Sequence, residues 1–161
     1  MHRFRIVLGG LLSAAVAGML ARRALFVVRI EGESMEPTFR SGDATLAIRA
    51  RVSPTIRRGD VVVCRLPPEI PGPTGYLVKR VAAVAGDPVP GSNPAAHEVL
   101  AAGRIYLQGD GVRSYDSRKF GALPLAAVHG RVIARLTLAV RRPAERVVVA
   151  FESVEGEPCN I

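Results

Sequence analysis

The sequence predicts a mainly β fold: a compact antiparallel β domain that follows one N-terminal transmembrane helix. Short runs rich in Val, Ile and Leu recur through the middle of the chain, and Gly, Pro, Asp and Ser separate them, as expected of an all-β domain. An uncharged stretch at residues 6–21 predicts the helix. With 161 residues, the chain has room for one domain of ordinary size and an anchor.

The uncharged N-terminal stretch is interpreted as an uncleaved signal anchor. At about 1.5 Å per residue it is roughly 24 Å long, and local thinning and snorkelling arginines would let it span a hydrocarbon core of ~30 Å. A cleaved signal peptide stays open as the alternative, because Ala15-Val16-Ala17 has the small-x-small pattern of a cleavage site. Charge does not decide the orientation, since arginines lie on both sides of the stretch: Arg3, Arg5, Arg22 and Arg23.

The strand-like segments define the rest of the chain. The predicted strands are Val27 to Glu31, Ala44 to Ala50, Asp60 to Leu66, Leu77 to Ala85, Ile105 to Gly109 and Val128 to Leu138. Residues 67–75 and 86–103 are predicted loops, the second long enough to act as a flap.

These segments divide the chain into three parts. We expect a membrane anchor at 1–26, a β-rich domain at 27–138 and a C-terminal tail at 139–161. Within the tail, Val147 to Phe151 is the segment that can add an edge strand.

Composition limits the partners and cofactors. Lys and Arg number 22 against 14 Asp and Glu, for a net charge of +8, while aromatic residues are 5% and Trp is absent. A nucleic-acid-binding platform is therefore not expected, and a basic face near anionic lipid explains the charge. No metal or other cofactor is expected, because His2, His97 and His129 have no second His or Cys at ligand spacing.

Two polar segments are candidates for catalysis. Ser34 lies in a tight polar turn just after Gly32, which has no side chain to block a substrate carbonyl, and backbone N–H groups there can stabilise an oxyanion. Lys79 lies in an apolar strand of a chain that otherwise uses Arg almost throughout. Arg keeps its charge, whereas a buried Lys can lose its proton and act as a base. Strand alternation turns Lys79 toward the site and Arg80 away from it.

A third segment, residues 109–118, is a polar loop after the strand that ends at Gly109. In this loop Ser114 can orient the lysine through a hydrogen bond. Asp116 and Arg118 can pair and hold the loop in place.

Together these segments resemble the type I signal peptidase family, the membrane-bound Ser/Lys proteases that remove leader sequences from exported proteins. The family's Ser-Met-x-Pro-Thr box is matched by residues 34–38, and its Gly-Asp strand box by residues 59–63. Its lysine box is similar to residues 76–81, followed by Ala85-Gly86-Asp87. Its last box corresponds to Gly109-Asp110 and residues 114–121. The order agrees from residue 27 to about 138.

The resemblance implies a role for each residue. Ser34 is the nucleophile and its backbone N–H an oxyanion donor, Lys79 is the general base, and Ser114 orients Lys79. Gly32 occupies the position where some members carry a hydroxyl donor, and Met35 is expected to contact substrate. Asp116 and Arg118 support the site.

The resemblance also implies a substrate and a location. Leader-bearing preproteins would bind as an added β-strand and be cut after small residues of the Ala-x-Ala type. The chain would cross the cell membrane once, with the catalytic domain on the extracytoplasmic side of the lipid bilayer. The last box departs from the pattern, with Gly111 where Asn is usual and one residue fewer before Ser114.

Two alternatives remain open. One is a membrane-tethered β-domain that binds leader peptides without cutting them. The other is a specialised protease that matures a single secreted product. A self-cleaving Ser/Lys protease of the repressor type is disfavoured, because an apolar segment stands where a DNA-binding domain would be.

Overall fold

In a computed structural model of the chain, the described residues are 18–19, 22–52, 55–72, 75–92, 98–136 and 147–150. The predicted anchor at 6–21 lies almost wholly outside them. No helix among the described residues is long and apolar enough to cross a membrane.

The described residues form a mainly β domain, with most strands where the Val- and Ile-rich runs predict them. The elements are β1 (Leu25–Ile30), β2 (Ala44–Arg49), β3 (Val61–Arg65), β4 (Tyr76–Val84), β5 (Arg104–Gln108), α1 (Ser117–Phe120), β6 (Leu123–Pro124), β7 (Val128–Leu136) and β8 (Val147–Ala150). A 3₁₀ turn at Leu125–Ala127 joins β6 to β7. The short α1 and β6 are too brief to have a periodic signal in the sequence.

In this part of the chain, eight strands form one sheet in the order β6-β5-β4-β3-β7-β2-β1-β8. All neighbours pair antiparallel except β1 and β8, which are parallel, with Val27 opposite Val147. The expectation of antiparallel pairing therefore fails at this edge. The physical reason is that no hairpin joins β8 to β1, so nothing requires these two neighbours to run in opposite directions.

The sheet is strongly bent, which brings strands that are distant in the order together. A hydrophobic cluster contains Phe26 and Val28 of β1 together with Val63 of β3 and Val78 of β4. A second cluster on the other face contains Leu77, Val81, Ile105, Leu107, Leu123 and Val128. Since β1 leads into the segment with Ser34 and β4 carries Lys79, this bend sets up the candidate site.

The predicted loop at 86–103 is a loop pinned at its base. Pro88 and Val99 form an isolated antiparallel bridge, and the N–H of Leu100 donates to the carbonyl of Asp87 at 2.8 Å.

Candidate active site

The segment that joins β1 to β2, residues 31–43, is called here the serine turn. Ser34 is only 8% exposed in it. Successive turns hold it, with the N–H of Glu36 donating to the carbonyl of Glu33 at 3.1 Å and that of Phe39 to Met35 at 2.9 Å. Gly32 has φ of +91°, a left-handed conformation that favours glycine, and its N–H donates to Ser41 Oγ at 3.4 Å. The hydroxyl of Ser41 therefore lies beside the backbone of Gly32, the position at which some family members carry a hydroxyl of their own.

Lys79 lies in the middle of β4 and is fully buried. It pairs with Val62 of β3, and the residues two before and two after it belong to the second hydrophobic cluster. Its Nζ donates to Ser114 Oγ at 3.2 Å. β4 therefore places the amine of Lys79 among apolar side chains, in hydrogen-bond contact with the hydroxyl of Ser114.

The third segment packs directly on the serine turn. The N–H of Gly111 donates to the carbonyl of Ser34 at 2.8 Å. A Cβ on Gly109 would lie 2.5 Å from that carbonyl oxygen and 2.2 Å from Ser114 Oγ, and a Cβ on Gly111 would lie 2.4 Å from the carbonyl of Glu33. All three distances are far inside van der Waals contact, so only glycines allow this approach. Position 111, where the family usually has Asn, must be glycine here because any side chain would collide with the carbonyl of Glu33.

Asp116 is fully buried and holds the same loop in place through hydrogen bonds. Its carboxylate accepts from the N–H of Gly109 at 2.9 Å and from Arg118 Nε and Nη2 at 2.9 and 2.6 Å. Burial by itself raises the pKa of Asp116, but hydrogen bonds from Arg118, Gly109 and Ser114 outweigh it and lower the pKa to about 2. A hydrogen-bonded row thus runs from Lys79 through Ser114 to Asp116.

A second ion pair ties the three segments together. Arg80 donates from Nε and Nη2 to the two carboxylate oxygens of Asp110 at 2.8 and 2.7 Å, and Thr38 Oγ1 donates to the same carboxylate at 2.6 Å. The pKa of Arg80 is raised by the hydrogen bond to Asp110. Burial opposes ionisation of Asp110, yet the bonds from Arg80 and Thr38 lower its pKa. Arg80 does lie on the opposite face of β4 from Lys79, but it reaches the serine turn from there.

Sequence reasoning did not identify these three residues as part of the site. In the sequence Thr38 and Asp110 are only members of the motifs that carry the family resemblance, and strand alternation turns Arg80 away from the site. The available signal was an acidic residue, Asp110, in the third segment and a basic residue, Arg80, next to Lys79. Their pairing across 30 positions has no local pattern that could reveal it.

A cavity of about 540 Å³ opens beside Ser34. Its walls come from the serine turn, the third segment and α1: Gly32, Glu33, Ser34, Val112, Arg113, Ser114, Tyr115 and Lys119. Met35 does not line it, because its side chain is 1% exposed and packs in the hydrophobic cluster of β1. The structure thus brings Ser34, Gly32 and Ser114 to one cavity wall, with Lys79 behind Ser114 and Met35 under the turn.

Other titratable groups lie apart from this cavity. Burial raises the pKa of the Cys64 thiol to about 12. Burial, followed by the charges of Arg49 and Arg51, lowers the pKa of His129, whose ring packs edge-on against Phe26. Within the described ranges, no group of His, Cys, Asp and Glu is arranged to hold a metal ion.

Comparison with known proteins shows which protein family the chain resembles. The family model described as signal peptidase, peptidase S26, matches residues 3–95, a span that includes Ser34 and Lys79. The chain is 36% identical over 116 residues to mitochondrial inner membrane protease subunit 1 of Xenopus tropicalis, covering 68% of each chain. It is 32% identical over 116 residues to the Homo sapiens protein of the same name, again covering 68% of each.

A plant relative gives the same result. The chain is 38% identical over 123 residues to mitochondrial ATP-independent inner membrane protease subunit 1b of Arabidopsis thaliana, covering 69% of each chain. Since the family model matches more than half of the chain, and the resemblance of the polar segments agrees with it, the chain belongs to the signal peptidase family, peptidase S26.

Proposed function

We propose that the protein is a membrane-anchored serine endopeptidase that removes leader peptides from exported proteins. In this proposal Ser34 is the nucleophile, Lys79 is the general base, and cleavage follows small residues. Membership of the peptidase S26 family supports a protease. Relatives named as inner membrane proteases support attachment to a membrane.

The proposed chemistry uses the lysine as a neutral amine. Ser34 Oγ attacks the carbonyl carbon of the scissile amide and transfers its proton to Lys79 Nζ. The backbone N–H of Ser34 donates to the developing oxyanion. The C–N bond breaks as the leaving amine takes the proton from Lys79 Nζ. Lys79 Nζ, neutral again, then deprotonates a water molecule, which hydrolyses the acyl ester.

The observation that carries this proposal is the enclosure of Lys79. Its side chain is wholly buried, and its Nζ is 3.2 Å from Ser114 Oγ, which lines the cavity beside Ser34. Because Ser114 also bonds to the Asp116 carboxylate, its proton is directed there and its oxygen accepts from Lys79. In the proposed mechanism Lys79 Nζ then accepts the proton of Ser34.

An open strand edge beside the site supports an extended substrate. β5 pairs with β4 only between Arg80 and Val84. Among the described residues, no strand forms a hydrogen-bonded ladder with that side of Tyr76 and Val78. Since the N–H of Val81 donates toward β3, the alternation of the ladder turns the N–H and C=O of Tyr76 and Val78 to the open side. A substrate strand can add there, next to Lys79.

The proposed arrangement in the membrane follows the sequence. Residues 1–26 would anchor the chain in the cell membrane with a single pass at 6–21, and the peptidase domain at 27–138 would lie on the extracytoplasmic side. The tail at 139–161 contributes β8 to the edge of the sheet.

The test is cleavage of a leader-bearing preprotein by the detergent-solubilised chain. We expect the wild type to cut after a small residue, while Ser34→Ala and Lys79→Arg reduce kcat/KM by at least roughly 1,000-fold. Arg keeps the positive charge but cannot serve as a base.

Lys119→Arg is the matched control, because Lys119 is exposed on the wall of the same cavity and has no role in the proposed chemistry. It should cut at nearly the wild-type rate. Cleavage that survives both Ser34→Ala and Lys79→Arg would overturn the mechanism. Binding of the preprotein without cleavage by the wild type would instead favour the non-cutting, leader-binding domain.

A further inference from the structure

Tyr115 stands between two residues of the hydrogen-bonded row in the third polar segment. Ser114 and Asp116 are 7% and 0% exposed, whereas Tyr115 between them is half-buried. The backbone of Asp116 is extended, with φ of −150° and ψ of −170°. Since successive side chains of an extended chain point to opposite sides, the Tyr115 side chain leaves the row in the other direction. Contacts that hold this side chain therefore also hold the backbone of Ser114.

The segment that follows β3, residues 66–72, receives the side chain of Tyr115 and is called here the proline segment. The phenol hydroxyl of Tyr115 donates to the carbonyl of Pro71. A Cβ on Gly72 would lie 2.7 Å from Tyr115 Cε1, so the ring can approach this closely only because residue 72 is glycine. On the other side, the ring centroids of Tyr115 and Phe120 are 5.4 Å apart. The tyrosine is thus bonded at its hydroxyl and packed along its ring.

The proline segment is itself firmly held. Three of its seven residues are prolines, whose rings fix the backbone angle φ. Leu66 is 9% exposed and packs in the second hydrophobic cluster, and the N–H of Ile70 donates to the carbonyl of Pro67 at 3.0 Å. The segment therefore has contacts of its own, separate from those with Tyr115.

The third polar segment is attached to the β3–β4 hairpin on both sides of Ser114. Before Ser114, the carboxylate of Asp110 pairs with Arg80 of β4 at 2.7 Å. After it, Tyr115 bonds to the proline segment, which follows β3 in the connection to β4. Between these two attachments lies the bond from Lys79 Nζ to Ser114 Oγ at 3.2 Å. Because Lys79 belongs to the same hairpin, both attachments fix Ser114 relative to the amine.

We propose that Tyr115 is a positioning residue, which holds Ser114 at hydrogen-bond distance from Lys79 Nζ. The proposal rests on the proposed function, in which Lys79 Nζ takes the proton of Ser34. A displaced Ser114 no longer accepts from Nζ, so the amine is less well oriented and the proton transfer slows. Substrate binding depends instead on the open edge of β4, to which Tyr115 does not belong. Loss of the phenol hydroxyl should therefore lower kcat and spare KM.

The first test is a double-mutant cycle with the detergent-solubilised full chain and a leader-bearing preprotein. Tyr115→Phe keeps the ring, and it should lower kcat about tenfold while KM stays within about twofold of the wild type. In a Ser114→Ala background the same change should lower kcat by less than about twofold, because the group on which Tyr115 acts is absent. Ser92→Ala is the matched control, since Ser92 Oγ also donates to a backbone carbonyl, that of Val89 at 2.8 Å, in the loop 86–103. It should leave kcat unchanged.

The second test follows Lys79 without any need for cleavage. The chain has only two lysines, Lys79 and Lys119, so NMR with carbon-13 lysine gives two sets of side-chain signals, which Lys119→Arg assigns. In Tyr115→Phe, the Lys79 Cε signal should move most of the way to its position in Ser114→Ala. Gly72→Ala, which places a methyl group 2.7 Å from the tyrosine ring, should move it in the same direction. The matched control should leave the signal where the wild type has it.

The outcomes separate the positioning role from the protease mechanism. An unchanged Lys79 signal in both Tyr115→Phe and Gly72→Ala would overturn the positioning role, even if Ser34→Ala abolishes cleavage. An equal loss of kcat with and without Ser114 would also overturn it, and would assign Tyr115 to the stability of the loop alone. A displaced Lys79 signal in a chain whose wild type does not cleave would leave the hold on Ser114 standing and count against the protease mechanism.

Discussion

The ionised carboxylate of Asp116 should stabilise the folded third segment, by a free energy that corresponds to the lowering of its pKa. The carboxyl has a pKa of about 2 in the folded chain, against an ordinary value of 3.8. A difference of about 1.8 units at ~1.4 kcal/mol per unit corresponds to roughly 2.5 kcal/mol, and relaxation of the loop makes about 2 kcal/mol the expected loss in Asp116→Asn at neutral pH. Asn can still cap α1, but its amide nitrogen cannot accept the bonds that the second carboxylate oxygen accepts, so the substitution removes these bonds together with the charge.

The sign of the pH dependence follows from the direction of the shift. A carboxyl whose pKa is lower in the folded state stabilises the fold above its unfolded value, and that stability is lost as pH falls from about 4 toward 2. The measurement is the free energy of unfolding in detergent, from denaturant titrations across this range. In Asp116→Asn, the decrease in the free energy of unfolding between pH 4 and pH 2 should be smaller than in the wild type by about 2 kcal/mol. Asp43→Asn, whose carboxyl pairs with the half-exposed Arg135, should reduce this decrease far less.

If the free energy of unfolding of Asp116→Asn falls as steeply between pH 4 and pH 2 as that of the wild type, the ionised Asp116 carboxylate does not stabilise the fold. Such a result would mean that the pairing with Arg118 persists in the unfolded chain, or that other carboxyl groups carry the pH dependence. A loss equal to that of Asp43→Asn would lead to the same conclusion.

Three further predictions concern other parts of the site and the core. Gly111→Ala places a methyl group 2.4 Å from the carbonyl of Glu33, so it should displace the serine turn and lower kcat/KM roughly 100-fold with little change in circular dichroism. Arg80→Lys keeps the charge but loses the two-point contact with Asp110, so the free energy of unfolding should fall by about 1 kcal/mol in chemical denaturation. The buried Cys64 thiol should react with alkylating reagents only after denaturation, as read by mass spectrometry; equal labelling of the folded chain would contradict its burial.

Strand positions were predictable because they depend on local composition. Runs such as Val61-Val62-Val63 form strands wherever a sheet is available, and the preceding Gly59 has the positive φ of a turn. The parallel pairing of β8 was not predictable, since the choice of partner depends on which edge the bent sheet leaves free. The same is true of β6, whose two residues carry no pattern.

The candidate site shows the same division. Ser34, Lys79 and Ser114 could be proposed from the sequence, because each stands out chemically in its own segment. The pairing of Arg80 with Asp110 and Thr38 could not, because three segments must fold before these groups meet. Met35 was expected to contact substrate from its place beside Ser34, but its neighbours in the fold are core side chains.

Identification of the acylated residue tests the proposed Ser34 and Lys79 mechanism directly. A slow ester substrate ending in Ala is mixed with the detergent-solubilised chain, quenched in acid and analysed by intact mass and peptide mapping. We expect one acyl group on Ser34 in the wild type, and none within the same time in Ser34→Ala or Lys79→Arg. An acyl group on any other residue, or one that forms as fast in Lys79→Arg as in the wild type, would contradict the Ser34 and Lys79 mechanism.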